Sequence, residues 1–197
     1  IRTPLNGIIG MIDILSDQHI TEETMAVVNL LRKSTGMLLN IITDILDFSK
    51  IETGRMLLDE IPFNLREEME HIAEIAKTYI TGKDVTFSLN IDDNVPESII
   101  ADPYRLKQVL LNLTGHSSRC TNKGEIKLNC SLAGSNSGII TLEFGILDTG
   151  TAFSRESLDK IFGYYVNIDS RLFTHTDESG FGTVLARQLI ELMGGEF

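Results

Sequence analysis

Three short groups of residues carry side chains able to do chemistry on a ligand. Asn112 and His116 stand one helical turn apart, with Arg119 just beyond them. Asp148 ends the apolar run 140–147 and is followed by Thr149 and Gly150. A carboxylate at a strand end, aimed into a pocket, can accept from an amine, although a lone aspartate there also serves simply to make a turn. Gly180-Phe181-Gly182-Thr183 opens a helical run, and a helix N-terminus with bare amides has affinity for anions. A solitary Gly-x-Gly is more often a loop-to-helix joint. His116 by itself reads as a metal-free histidine of a helix surface, because imidazole is a borderline nitrogen donor. Cys120 and Cys130 lack the CxxC spacing of a zinc or redox pair and read as buried, reduced thiols.

Helices and strands must hold these groups in place. Over residues 1–52, Ile1, Leu5, Ile8, Ile12 and Leu15 recur at spacings of three and four, one apolar helical face. The segment 16–21 interrupts it, and Thr21-Glu22-Glu23 is a helix start with acid in its first turn. Val28, Leu31, Thr35, Leu38, Ile42, Ile45 and Phe48 then continue a near-heptad stripe to about Ile51. Flanking Ile9, Met11, Val27, Leu39, Ile41 and Leu46 make this face wider than a two-helix seam needs. Periodicity leaves two arrangements open: pairing with a second copy in a four-helix bundle, or packing on the rest of the chain.

Gly54 breaks the second helix, and Pro62 marks an extended linker. Residues 65–81 read as a helix and 85–91 as a strand. Asp102-Pro103 is an N-cap followed by proline at the first helical position, starting a helix to about Ser118. Strands are expected over 125–132 and 139–147, joined by a turn-rich segment 133–138, then a short helix near 155–162. A polar loop over 163–179 precedes a last helix from about 182 to 193. Mixed helices and antiparallel strands give an α+β fold with helices on one face of a sheet.

Bulk composition narrows the classes. The 197 residues are 42% hydrophobic and 23% charged, an ordinary globular balance with material for a core. A net charge of −11 argues against nucleic acid as partner, since phosphate binding needs cations. No apolar run reaches the roughly 20 residues of a membrane span. The first residue is Ile1 inside a helical pattern, so the chain reads as an excerpt, with any sensor or anchor outside it.

Ile1-Arg2-Thr3-Pro4-Leu5-Asn6-Gly7-Ile8-Ile9-Gly10 resembles the latter part of the phosphoacceptor box of sensor histidine kinases. Asp44-Ile45-Leu46-Asp47-Phe48-Ser49-Lys50-Ile51-Glu52 is similar to that family's second dimerisation helix, and Asp102 to Leu113 to its nucleotide-site helix. These pieces lie in family order along essentially the whole chain. The resemblance implies a dimerisation hairpin over 1–53, a linker over 54–64, and an ATPase-like domain over 65–197 whose final strand is missing. The hairpin would form a dimeric four-helix bundle through residues 1–52, followed by an α/β sandwich of the gyrase and Hsp90 type. It implies phosphoryl transfer from ATP to a histidine two places before Ile1, then to a response-regulator receiver or histidine phosphotransfer domain. A partner histidine kinase is a further candidate, and the setting implied is the cytoplasmic part of a membrane-anchored sensor.

Residue by residue, the resemblance assigns Asn112, His116, Arg119, Asp148, Gly150, Gly180, Gly182 and Thr183 to the nucleotide site, with Asn112 as a weak Mg²⁺ ligand. His116 replaces the usual second asparagine, a poor exchange because Mg²⁺ requires hard oxygen ligands. Ala152 stands in place of a rim glycine and Val184 in place of a phosphate-loop glycine. Arg119 keeps a cation where lysine is usual. Thr3 matches a position that in relatives helps dephosphorylate the regulator. The 163–179 segment, with Asp169, Arg171, His175 and Asp177, corresponds to the family's mobile lid and is expected to be poorly ordered without nucleotide. ATP and Mg²⁺ are therefore expected to bind weakly or not at all, leaving a pseudokinase-like scaffold. The alternatives are an active histidine kinase and a regulator phosphatase using Thr3.

Overall fold

A computed structural model describes residues 2–16, 21–151 and 180–197. The chain divides into two compact units, Ile1–Met56 and Leu57–Phe197.

The first unit consists of helix α1 (Arg2–Ser16) packed on helix α2 (Glu22–Glu52). Thr21 caps α2, its side chain accepting from the Thr24 amide at 3.3 Å, and Glu22 and Glu23 complement the helix dipole there. Gly54, at φ +62°, takes the left-handed conformation that ends α2. Ile12 and Val28 are buried between the helices, and an exposed Asp13–Arg32 ion pair of 2.9 Å ties them. Much of the apolar stripe stays open, with Ile8, Leu31 and Leu38 each 48% exposed, and Met11, Ile14 and Leu30 beside it are more exposed still.

In the second unit, strands β2 (Asp84–Ile91), β4 (Lys123–Asn136) and β5 (Ile139–Asp148) form a mixed sheet in the order β2-β4-β5. The β2–β4 pair is parallel and the β4–β5 pair antiparallel. Helices α3 (Leu65–Thr78), α4 (Pro103–Cys120) and α5 (Gly180–Leu192) are the helices of this unit among the described residues. α3 and α4 lay Leu65, Met69, Ile72, Leu106 and Leu110 against Leu128 and Cys130 of β4, which is the core. The period-two pattern of β4 sends Ile126, Leu128 and Cys130 inward, leaving Lys127 and Asn129 on the other face. There Asn90 Nδ2 donates to Asn129 Oδ1 at 2.9 Å. α5 buries Leu185, Ala186 and Leu189 and packs beside α4.

Three expectations change. The turn read over 133–138 shrinks to Ser137-Gly138, both at positive φ, because the strands run on to Asn136 and a bulge near residue 133 absorbs the extra residue. The stretch read as linker contains β1 (Ile61–Asn64), paired antiparallel with β3 (Ser98–Ala101) in a two-stranded sheet that includes Pro62. A two-stranded sheet is all edge, so proline is tolerated. α3 stops at Thr78, three residues short of the expected end, and turns lead to Gly82 at φ +81°. The expected helix near 155–162 and loop 163–179 lie outside the described residues.

Candidate functional site

α4 and α5 each carry three residues of the predicted site. Asp102 caps α4, Oδ1 accepting from the Arg105 amide at 3.0 Å and Oδ2 from the Asp59 amide at 2.9 Å. With one face of α4 committed to the core, Asn112, His116 and Cys120 follow each other at four-residue spacing along another. Asn112 Nδ2 donates to the Gly182 carbonyl at 3.3 Å, joining α4 to the first turn of α5. His116 Nε2 lies 3.3 Å from Cys120 Sγ. Arg119 is exposed near the Tyr79 ring; burial raises the Tyr79 hydroxyl above its ordinary pKa, and the Arg119 charge pulls it back. Lys83 Nζ donates to the Ser118 and Thr121 carbonyls and so closes the C-terminal end of α4.

β5 delivers Asp148 at its end. Asp148 Oδ1 accepts from the Gly150 amide at 3.0 Å, a local turn that leaves the carboxylate exposed. Thr149 fastens this turn to β4, its Oγ1 accepting from the Glu125 amide at 3.0 Å. Gly124, at φ +119°, leaves room for that side chain. The Thr151 amide donates to the Cys120 carbonyl at 3.3 Å. Gly150 packs so closely that a Cβ would lie 2.6 Å from the Cys120 carbonyl oxygen and 2.7 Å from Thr121 Oγ1. That hydroxyl is fully buried and has no hydrogen-bond partner among the described residues.

The structure thus brings Asn112 to Gly182, and the Asp148–Thr151 turn to the C-terminal end of α4 at Cys120. Thr183 is buried and Val184 half-buried in the first turns of α5, which begins at Gly180. Thr3 lies in α1, with its side chain outside the described ones; Ala152, Asp169, Arg171, His175 and Asp177 lie outside the described residues. Among the described residues no three His, Cys, Asp or Glu side chains cluster as a metal site. The sequence reading gave no site role to Thr121, Thr149 or Cys120, and Cys120, expected to be buried, is half-buried. Only the i, i+4 spacing of His116 and Cys120 could have flagged one of them.

Two family models match the chain in sequence. The His Kinase A (phospho-acceptor) domain covers residues 1–54, and the histidine kinase-, DNA gyrase B- and HSP90-like ATPase covers 101–197. The sensor histidine kinase GacS of Pseudomonas protegens is 36% identical over the whole chain, and the signal transduction histidine-protein kinase BarA of Escherichia coli 31%. The chain spans 21% of the length of each. The crystal structure of ShkA in complex with AMPPNP superposes with a TM-score of 0.75 at 28% identity, over 98% of this chain and 39% of that one. The helical unit followed by an ATPase-like α/β unit, in this order and with these relatives, makes the chain the core of a member of the sensor histidine kinase family.

Proposed function

We propose that this histidine kinase core is a weakly catalytic or non-catalytic dimeric scaffold that docks partner signalling domains of a phosphorelay. Its pocket would take adenine nucleotide feebly. The adenine side is intact in chemical type: Asp148 is an exposed strand-end carboxylate, and the buried Thr121 hydroxyl beside Gly150 has no hydrogen-bond partner among the described residues. Asn112 still joins α4 to the α5 N-terminus, where backbone amides favour anions.

The metal side does not fit. Where the family uses a second asparagine, His116 offers a nitrogen already 3.3 Å from the Cys120 thiol, and that single observation carries the proposal. Mg²⁺ takes oxygen ligands in strict octahedral geometry, so no step of phosphoryl transfer is assigned through it here. Val184 and Ala152, in place of glycines, point the same way. Loss of one positioned contact commonly costs about 2–4 kcal/mol of transition-state stabilisation.

The open apolar stripe of α1 and α2 supports a homodimer through residues 1–52, and a response-regulator receiver or histidine phosphotransfer domain is the partner class that such a bundle fits. Titration calorimetry with ATP, with and without Mg²⁺, tests the reading: weak, Mg²⁺-independent heat is expected. Micromolar affinity that needs Mg²⁺, with acid-labile and base-stable label in a chain extended through the position two before Ile1, would instead establish an active kinase. That second reading is favoured by the AMPPNP complex of the 28%-identical relative.

A further inference from the structure

Asp102 joins two segments that lie far apart in sequence. Its Oδ1 accepts from the Arg105 amide at 3.0 Å and caps α4, while Oδ2 accepts from the Asp59 amide at 2.9 Å. The residue is buried, so water competes little for either oxygen. A helix cap needs only one acceptor, and serine or asparagine supplies it as well as aspartate does. The second oxygen, and the bond to Asp59 that it makes, therefore lies beyond what capping requires.

The donor of that bond stands just past the helical hairpin. α2 ends at Glu52, and the amides of Arg55 and Met56 then donate to the Lys50 carbonyl at 2.8 and 3.1 Å. Met56 is itself buried, so the chain stays fastened to the end of α2 through this residue. Only Leu57 and Leu58 separate that anchor from Asp59, and the boundary between the two compact units falls at Leu57. Three Cα steps reach at most about 11 Å, which leaves little slack. A displacement of the last turn of α2 is thus felt at the Asp59 amide. On the other side of the bond, α4 runs unbroken from Pro103 to Cys120. Asn112, about 15 Å along the axis from Asp102, donates to the Gly182 carbonyl at 3.3 Å.

We propose that Asp102 is a positioning residue that couples the end of the hairpin to the nucleotide side of α4. Its carboxylate holds the joining stretch and the first turn of α4 together. A shift of the α2 end then moves α4 with Asp59 and, through Asn112, alters the junction with α5. Without the second oxygen the joining stretch would move alone. The bond takes part in no chemical step; it sets where Asn112 stands. Any consequence for nucleotide rests on the pocket reading above, whereas the coupling itself does not.

Two substitutions separate the cap from the link. D102S keeps one oxygen for the cap and offers none to Asp59, and D102N keeps Oδ1 for the cap while turning an NH2 donor toward the Asp59 donor. Amide exchange in the full chain, followed by NMR, should be at least about tenfold faster at Asp59 in both variants, as expected for a lost bond to a carboxylate, and unchanged at Arg105. An Asp59 amide that does not quicken, or that quickens only together with Arg105, overturns the separate link. Gly54→Ala then perturbs the end of α2, because a side chain is strained at φ +62° although nothing lies within 4 Å of its Cβ. It should shift the side-chain amide signal of Asn112 in the parent, and shift it at least about threefold less in D102S, the non-additivity of coupled sites. A merely structural Asp102 would leave the shift equal in both backgrounds, and that result defeats the coupling, as does a parent in which Gly54→Ala moves nothing at Asn112. Calorimetry with ATP closes the test: Gly54→Ala should change the affinity in the parent background and leave it unchanged in D102S. An equal change in both defeats the consequence for nucleotide. If the parent binds no ATP, the pocket reading fails, and the Asn112 signal still judges the coupling.

Discussion

Gly150 shows how one missing methyl fixes the geometry of a site. Its neighbours are a backbone carbonyl and a buried hydroxyl, neither of which can swing away as the end of a long side chain would. Gly150→Ala should therefore destabilise the second unit by about 1–3 kcal/mol, the usual cost of overpacking, seen as a lower thermal midpoint. Gly182→Ala is the control: its Cβ would meet Asn112 only at ordinary contact distance, 3.6 Å, so it should fold unchanged. At this scale the sequence revealed Asp148 and Gly150 as a pair, because an apolar strand run ending in Asp-x-Gly is local information. Thr121, Thr149 and the contact of His116 with Cys120 take their meaning from what lies across the site, which residue spacing does not carry.

Among the elements, α4 depends on Asp102 twice over. One carboxylate oxygen caps the helix and the other holds the Asp59 amide, with the residue itself buried. Asp102→Ala should remove both, costing on the order of 1–2 kcal/mol, chiefly from lost capping, with a smaller part from the part-buried Asp59 amide left without its acceptor. Urea denaturation should show a lower midpoint at unchanged slope. The caps of α2 and α4 were plain in the sequence because capping chemistry spans only three or four residues. β1 and β3 were not: each has four residues, one contains Pro62, and their partnership joins positions about 40 apart. Long-range pairing leaves no local periodicity to read.

For the molecule as a whole, the apolar excess of α1 and α2 is the feature with the largest consequence. Leu30 is 64% exposed in the single chain, so Leu30→Glu should leave helicity intact while removing self-association. Sedimentation is expected to give a dimer for the parent and a monomer for the variant; a parent that sediments as a monomer would refute the scaffold's dimeric arrangement. By itself the sequence determined the two-part organisation, the presence of the described helices, the caps of α2 and α4, and the order of the family motifs along the chain. Those follow from residue type, spacing and local hydrogen bonding. Only the tertiary structure decided that His116 meets Cys120, that Asn112 reaches Gly182, and that the Asp148 turn closes on the end of α4. Those contacts join segments through packing around a shared core, and packing is settled by volume and direction in space, which no linear pattern records.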